Sequence, residues 1–135
     1  MRYAGSSVYL LILLSVLLWP DVACAGESWL CSITSAVECA DGEPCGEPDL
    51  GGLAPPTFLR VDAVKKKITL LAPDSRRGET TEIGTVRETE DIWVFTGVER
   101  GRAWSMVISR EGHMTLSVTY DGVTWTVFGN CMLER

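Results

Sequence analysis

The sequence is poor in the residues on which most catalysis depends. It holds a single histidine among 135 residues, His113, and it has no Cys-x-x-Cys pair and no Gly-x-Ser-x-Gly turn. Each absence removes a chemistry. A Ser-His-acid set needs its histidine as the base, and no strained nucleophile turn accompanies His113. A thioredoxin-type centre needs the two-residue spacing that depresses one thiol's pKa. The stretch "DLGGLAPP" lacks the strand before it and the helix after it that a phosphate-binding loop requires. Carboxylates are plentiful, but no spacing singles out the pair that glycoside hydrolysis uses. His113 reads as an exposed strand histidine on a polar face. No catalytic residue and no cofactor is expected.

Positive charge is missing from a long stretch. Between Gly26 and Leu59 there is no Lys or Arg, while Glu27, Glu38, Asp41, Glu43, Glu47 and Asp49 fall there. The formal net charge is −6. That sign excludes nucleic acid, whose phosphates demand a positive surface, and it excludes docking on anionic lipid. The acidic segment "DGEPCGEPD" does not follow an EF-hand loop, and its prolines limit convergence of the carboxylates, so it reads as a solvated loop. The one basic run, Lys65–Lys67, lies at an expected hairpin tip. There it reads as a solubilising turn that guards an edge, with contact to an anionic partner as the other reading.

Long apolar runs are missing too. The longest, Val8 to Trp19, is broken by Ser15 and falls short of the roughly 20 residues a spanning helix needs. Arg2 precedes it, Pro20 and Asp21 end it, and Ala23-Cys24-Ala25 offers small residues before Gly26. This is the pattern of a secretory signal peptide cleaved after Ala25. Asp21 stands where a lipoprotein signal at Cys24 wants an aliphatic residue. The expected organisation is a cleaved signal at 1–25, a Cys-containing segment and acidic loop at 26–56, and an antiparallel meander at 57–135 that forms one domain with 26–56. The protein is expected to be exported, periplasmic or alternatively extracellular, with no stable membrane insertion after cleavage.

What the mature chain does have is four cysteines: Cys31, Cys39, Cys45 and Cys131. An even count in a short exported chain reads as disulfides. Zinc ligands come in closer pairs than these, and no metal is expected. Two bridges allow three connectivities, between which sequence does not choose. The expected pairing is Cys39–Cys45, across the chain-reversing "ADGEP", and Cys31–Cys131, across nearly the whole domain. Loop entropy gives the long bridge ~4.7 kcal/mol and the short one ~2.4 kcal/mol.

From Thr57 onward the chain alternates with period two. Seven runs are visible: "TFLRVD", "KKITLLA", "TTEIGTVRE", "DIWVFTGV", "RAWSMVIS", "HMTLSVTY" and "VTWTVFG". "YDGV" is a two-residue Asp-Gly hairpin, and "ERGR" and "REGH" read as three-residue loops closed by Gly. "SWLCSITSAVEC" fits either an eighth strand or a short helix capped by Ser28. The expected fold is all-β: a small, disulfide-stapled antiparallel meander or barrel of about seven to eight strands. A closed barrel would remove both sheet edges, and a two-sheet sandwich is the alternative.

Four tryptophans remain after cleavage: Trp29, Trp93, Trp104 and Trp125. Trp104 and Trp125 suit a core. Trp93 and Phe95 share one face of their run while Ile92 and Val94 take the other, and both sets do not fit inside a narrow barrel. An exposed or loop-covered aromatic pair beside Arg100 and Arg102 is the expected protein-binding surface.

Trp29-Leu30-Cys31 at the start of the domain, the short Cys loop, the meander and Phe128-Gly129-Asn130-Cys131 at its close resemble the layout of small, uncharacterised exported bacterial proteins. More loosely, the chain is similar to the membrane-bound lysozyme inhibitor of c-type, a small periplasmic antiparallel barrel with an early aromatic-x-Cys and a late Cys. That resemblance implies a non-catalytic protein-binding module, an inhibitor of a hydrolase such as lysozyme. The family's Ser-Gly-x-x-Tyr segment has no counterpart here. "GRAWSM", Gly101 to Met106, occupies its place without the Ser-Gly, so no inhibitory residue carries over. A lipocalin-like carrier of a small apolar ligand is the alternative, and it requires a cavity of roughly 300 Å³ or more.

Overall fold

The computed structural model describes residues 27–135. The expected signal peptide and its cleavage site lie outside the described residues. Nine strands follow one another: β1 (Ser28–Ala40), β2 (Phe58–Asp62), β3 (Lys67–Ala72), β4 (Thr80–Glu82), β5 (Thr85–Glu88), β6 (Ile92–Glu99), β7 (Arg102–Ser109), β8 (His113–Tyr120) and β9 (Val123–Leu133). Among the described residues a single 3-10 turn, Asp74–Arg76, interrupts them. All nine join one antiparallel sheet in the order β4-β3-β2-β1-β9-β8-β7-β6-β5. The sheet curls into a half-barrel. The all-β reading is what the structure shows, and the sandwich is not formed.

One open choice is settled and three expectations change. Residues 28–40 form a strand and not a helix, because Trp29, Cys31 and Ile33 alternate inward beside β9. The run "TTEIGTVRE" is two strands: it bends at Ile83–Gly84. The Ile83 N–H donates to the Lys66 carbonyl at 2.9 Å, and the Gly84 N–H donates to the Thr96 carbonyl at 2.8 Å. One stretch of chain therefore leaves one edge of the sheet and arrives at the other. The barrel is not closed by a ladder, as expected, but by this covalent crossing, reinforced by Thr81 Oγ1 donating to Glu99 Oε2 at 2.9 Å. The remaining edges are short, and β5 carries Arg87 and Glu88, features that discourage edge pairing. Finally, "ERGR" is a two-residue turn. Arg100 takes φ 50° and Gly101 φ 78°, the double left-handed geometry that matches strand twist.

The interior follows from the alternation. Phe95, Met106, Ile108, Met114, Val61 and Cys31 are at most 2% exposed, and Trp29, Leu59, Ile68, Ile83 and Trp104 complete the cluster. Both disulfides form as expected, Cys31–Cys131 and Cys39–Cys45. The first joins directly opposed residues of β1 and β9, with Cα atoms 4.0 Å apart. At the end of β9, Glu134 accepts from Ser28 Oγ at 2.6 Å and from the Arg60 guanidinium at 2.8 and 2.9 Å. The Arg60 bond first, and the Ser28 bond after it, hold that carboxyl below the ordinary carboxylate range.

A bulge in β1 between Ile33 and Ser35 brings its backbone against β9 at Gly129. A Cβ on Gly129 would lie 2.2 Å from the Ser32 carbonyl oxygen and 2.8 Å from Met114 Cε. Backbone cannot yield as a side chain can. Gly129→Ala is therefore expected to lower stability by about 1–3 kcal/mol, the usual cost of overpacking. A urea midpoint equal to that of the parent would show that the bulge relaxes around the methyl group.

Candidate functional site

Hairpin geometry assigns the expected site residues to different places. Phe95 is on the inward face of β6 and has no exposed surface, so it meets no partner. It is edge-on to Trp29 with ring centroids 5.5 Å apart, and Trp29 is edge-on to Trp93 at 4.9 Å. Trp93 is partly buried beneath the Arg110 guanidinium, 5.8 Å from its ring. Arg110 is held there by donating to the Glu90 carbonyl at 2.9 Å, the Thr89 carbonyl at 2.8 Å and Glu88 Oε1 at 2.7 Å. The pair that sequence placed at a surface is thus a core aromatic and a capped one. Only one set turns inward: β6 points Trp93 and Phe95 into the half-barrel and leaves Ile92 and Val94 on its other face.

Arg100 and Arg102 sit elsewhere, at the end where the Arg100–Gly101 and Asp121–Gly122 turns lie. Arg100 is an exposed turn residue. Arg102 is the first residue of β7 on the face that continues inward as Trp104 and Met106. Its guanidinium lies 5.9 Å from the Tyr120 ring and 5.6 Å from the Trp125 ring. Registers explain the meeting. Ala103 pairs with Thr119, and Val118 pairs with Trp125, so Arg102, Tyr120 and Trp125 share one face of three adjacent strands.

Trp125 is fixed from below. Its Nε1 donates to Glu38 Oε2 at 2.6 Å, and the same oxygen accepts from the Asp49 N–H at 3.0 Å. Glu38 lies outside the acidic "DGEPCGEPD" segment. It is a strand residue that ties the Cys39–Cys45 loop to the indole. Gly46 bridges back to Glu38 by two backbone bonds of 2.9 Å, which keeps that loop in register.

The arrangement presents an exposed arginine whose guanidinium lies over two rings. Among the described residues Arg102 enters no ion pair. Tyr120 is 49% exposed beside it. Trp, Tyr and Arg are the side chains enriched at the energetic centres of protein interfaces, because they bury much area at little entropic cost. Sequence reasoning found Arg102 and missed Tyr120, Trp125 and Glu38. The signal for the first two was there: the two-residue turn at Asp121–Gly122 fixes Tyr120 and Trp125 on one face. Glu38 had no such signal, since its partner is 87 positions away.

Other features are modest. A pocket of about 270 Å³ opens at the opposite end, lined by Glu27, Trp29, Trp93 and the Arg110–Gly112 turn, and one of about 190 Å³ lies over Ser105 and Ser117. Glu27 Oε2 and Trp104 Nε1 are buried without a hydrogen-bond partner. Among the described residues no group of three or more His, Cys, Asp or Glu side chains converges, and no helix is long and apolar enough to cross a membrane. Comparison with family models, curated proteins and solved structures gives no match to this chain.

Proposed function

We propose that the protein is a non-catalytic protein-binding module of an exported compartment, periplasmic in the first instance, and that it binds through Arg102, Tyr120 and Trp125. The observation that carries this reading is the unpaired guanidinium stacked on two rings, one of them anchored by Glu38. Two disulfides support an oxidising compartment. The resemblance in layout to the c-type lysozyme inhibitors makes a hydrolase the first partner class to test. The carrier alternative draws no support from the packing, because Phe95, Met106, Ile108 and Met114 fill the interior and the pockets described are open at the surface.

The test is capture of partners from periplasmic and medium fractions by the oxidised protein, alongside an inhibition panel of secreted hydrolases. Arg102→Ala is expected to weaken a captured partner by about 30-fold or more, the effect of a residue worth at least ~2 kcal/mol. It should leave the urea midpoint near that of the parent, since Arg102 is exposed. A partner that binds Arg102→Ala as tightly as the parent, or no partner in either assay, would count against the reading.

A further inference from the structure

The outer wall formed by β6–β9 carries no Asp, Glu, Lys or Arg. Outward positions alternate with the core positions, and they are all apolar, hydroxyl-bearing, Asn or His. Charged residues make up 22% of the chain, so about four would be expected among about 17 outward positions. The charges are instead on β2–β5, at the inward positions Glu38, Glu99 and Arg102, in the turns, in the acidic loop and at the chain ends. Strand registers align the wall's centre into one row: Thr85, Thr96, Ser105, Ser117 and Thr126, on five adjacent strands. Around that row Val98 is 74% exposed, Met132 65% and Phe128 41%.

We propose that this wall is the contact surface between two copies of the chain. Two observations select a second copy. The first is charge: each molecule carries −6, and two such molecules approach with least repulsion through a face that holds none of it. The second is self-complementarity. A twofold contact sets the same patch against itself, so any charge near the axis meets its own sign. Hydroxyls do not suffer this, because each both donates and accepts, and methyl and aromatic groups pair with their own kind. The extent is also adequate: the wall is close to the roughly 20–30 residues a side of a standard interface. The Arg102 cluster is at the strand ends and faces inward, so it stays free in such a dimer, and the two proposals stand or fall separately.

The measurement is sedimentation of the oxidised protein up to about 100 µM, well above the micromolar affinities at the weak end for interfaces of standard size. The expected result is a mass twice that of the chain. Added salt should tighten the dimer, because it screens like net charges across an uncharged contact, whereas an interface of ion pairs would loosen. Ser117→Glu places a carboxylate at the centre of the row and should raise the dissociation constant at least about tenfold, since like charges brought together cost several kcal/mol. Ser105→Thr, which keeps a hydroxyl, should leave it within about twofold, as a surface change away from charge usually does. Near-UV circular dichroism would confirm that both variants keep the parent packing. A monomer at every concentration, a dimer that survives Ser117→Glu, or one that loosens in salt would overturn the proposal.

Discussion

Loss of the Cys31–Cys131 bridge is expected to cost about 4–5 kcal/mol, and loss of Cys39–Cys45 only about half of that. The first figure follows from the loop of about 100 residues that the bridge closes in the unfolded chain, where the entropy it removes grows with the logarithm of loop length. The position of the bridge adds to it. In the sheet order, β1–β4 lie on one side and β5–β9 on the other, and they meet in one ladder, β1 against β9. Beyond that ladder, the halves are joined by the chain crossing at Ile83–Gly84 and by the shared core, in which Trp29 packs on Trp93 and Phe95. The bridge sits within the joining ladder, with Cys31 fully buried. Small domains are stable by only about 5–15 kcal/mol in total, so the Cys31→Ser, Cys131→Ser double variant should be largely unfolded at moderate urea concentrations. The Cys39→Ser, Cys45→Ser double variant keeps the core and loosens only an exposed loop. Urea unfolding of the two double variants beside the parent decides the matter. Equal losses would mean that the junction is held by the ladder and not by the covalent link.

That junction was only half legible. The even cysteine count and the export signal pointed to two bridges without choosing their connectivity, and Asp121–Gly122 named the last hairpin, because both depend on neighbouring residues or on a count. The split of "TTEIGTVRE" was not legible. Its alternation continues through Ile83, and the bend exists because Ile83 and Gly84 answer carbonyls of two distant elements, Lys66 in the turn before β3 and Thr96 on β6. Nothing local records that. The same holds for Glu38: within the sequence it is one of the acids in the stretch without Lys or Arg, and only the β1–β9 register sets it beneath Trp125. Arg102 could be placed, because a residue two before Trp104 must share its face. Closure of the barrel was overestimated for a related reason. Counting runs does not reveal whether first and last edges meet as a ladder or through a turn of chain.

Phe95 gives the sharpest test of where sequence and structure part. Alternation alone allows Trp93 and Phe95 to face outward as a binding pair. In the structure Phe95 is fully buried among Trp29, Trp93 and Met106, stacked with Trp93 at 6.4 Å between centroids and paired across the ladder with Met106. Removing a buried phenyl ring forfeits its transfer free energy and leaves a cavity that β-strands close poorly, so Phe95→Ala is expected to cost about 3–5 kcal/mol. The loss should be read as a lower urea midpoint with an unchanged slope, since the surface exposed on unfolding stays nearly the same. Phe95→Leu fills much of the space and should lose less than half as much. Tryptophan fluorescence offers a second readout, because Trp29 and Trp93 both pack beside the ring. A surface role predicts the reverse: Phe95→Ala would leave stability within ~0.5 kcal/mol, as surface changes do, and would weaken a partner instead. Arg102→Ala supplies the mirror image, an intact fold with weakened binding. Measured together, the two variants separate the residues that hold the half-barrel from those that it presents.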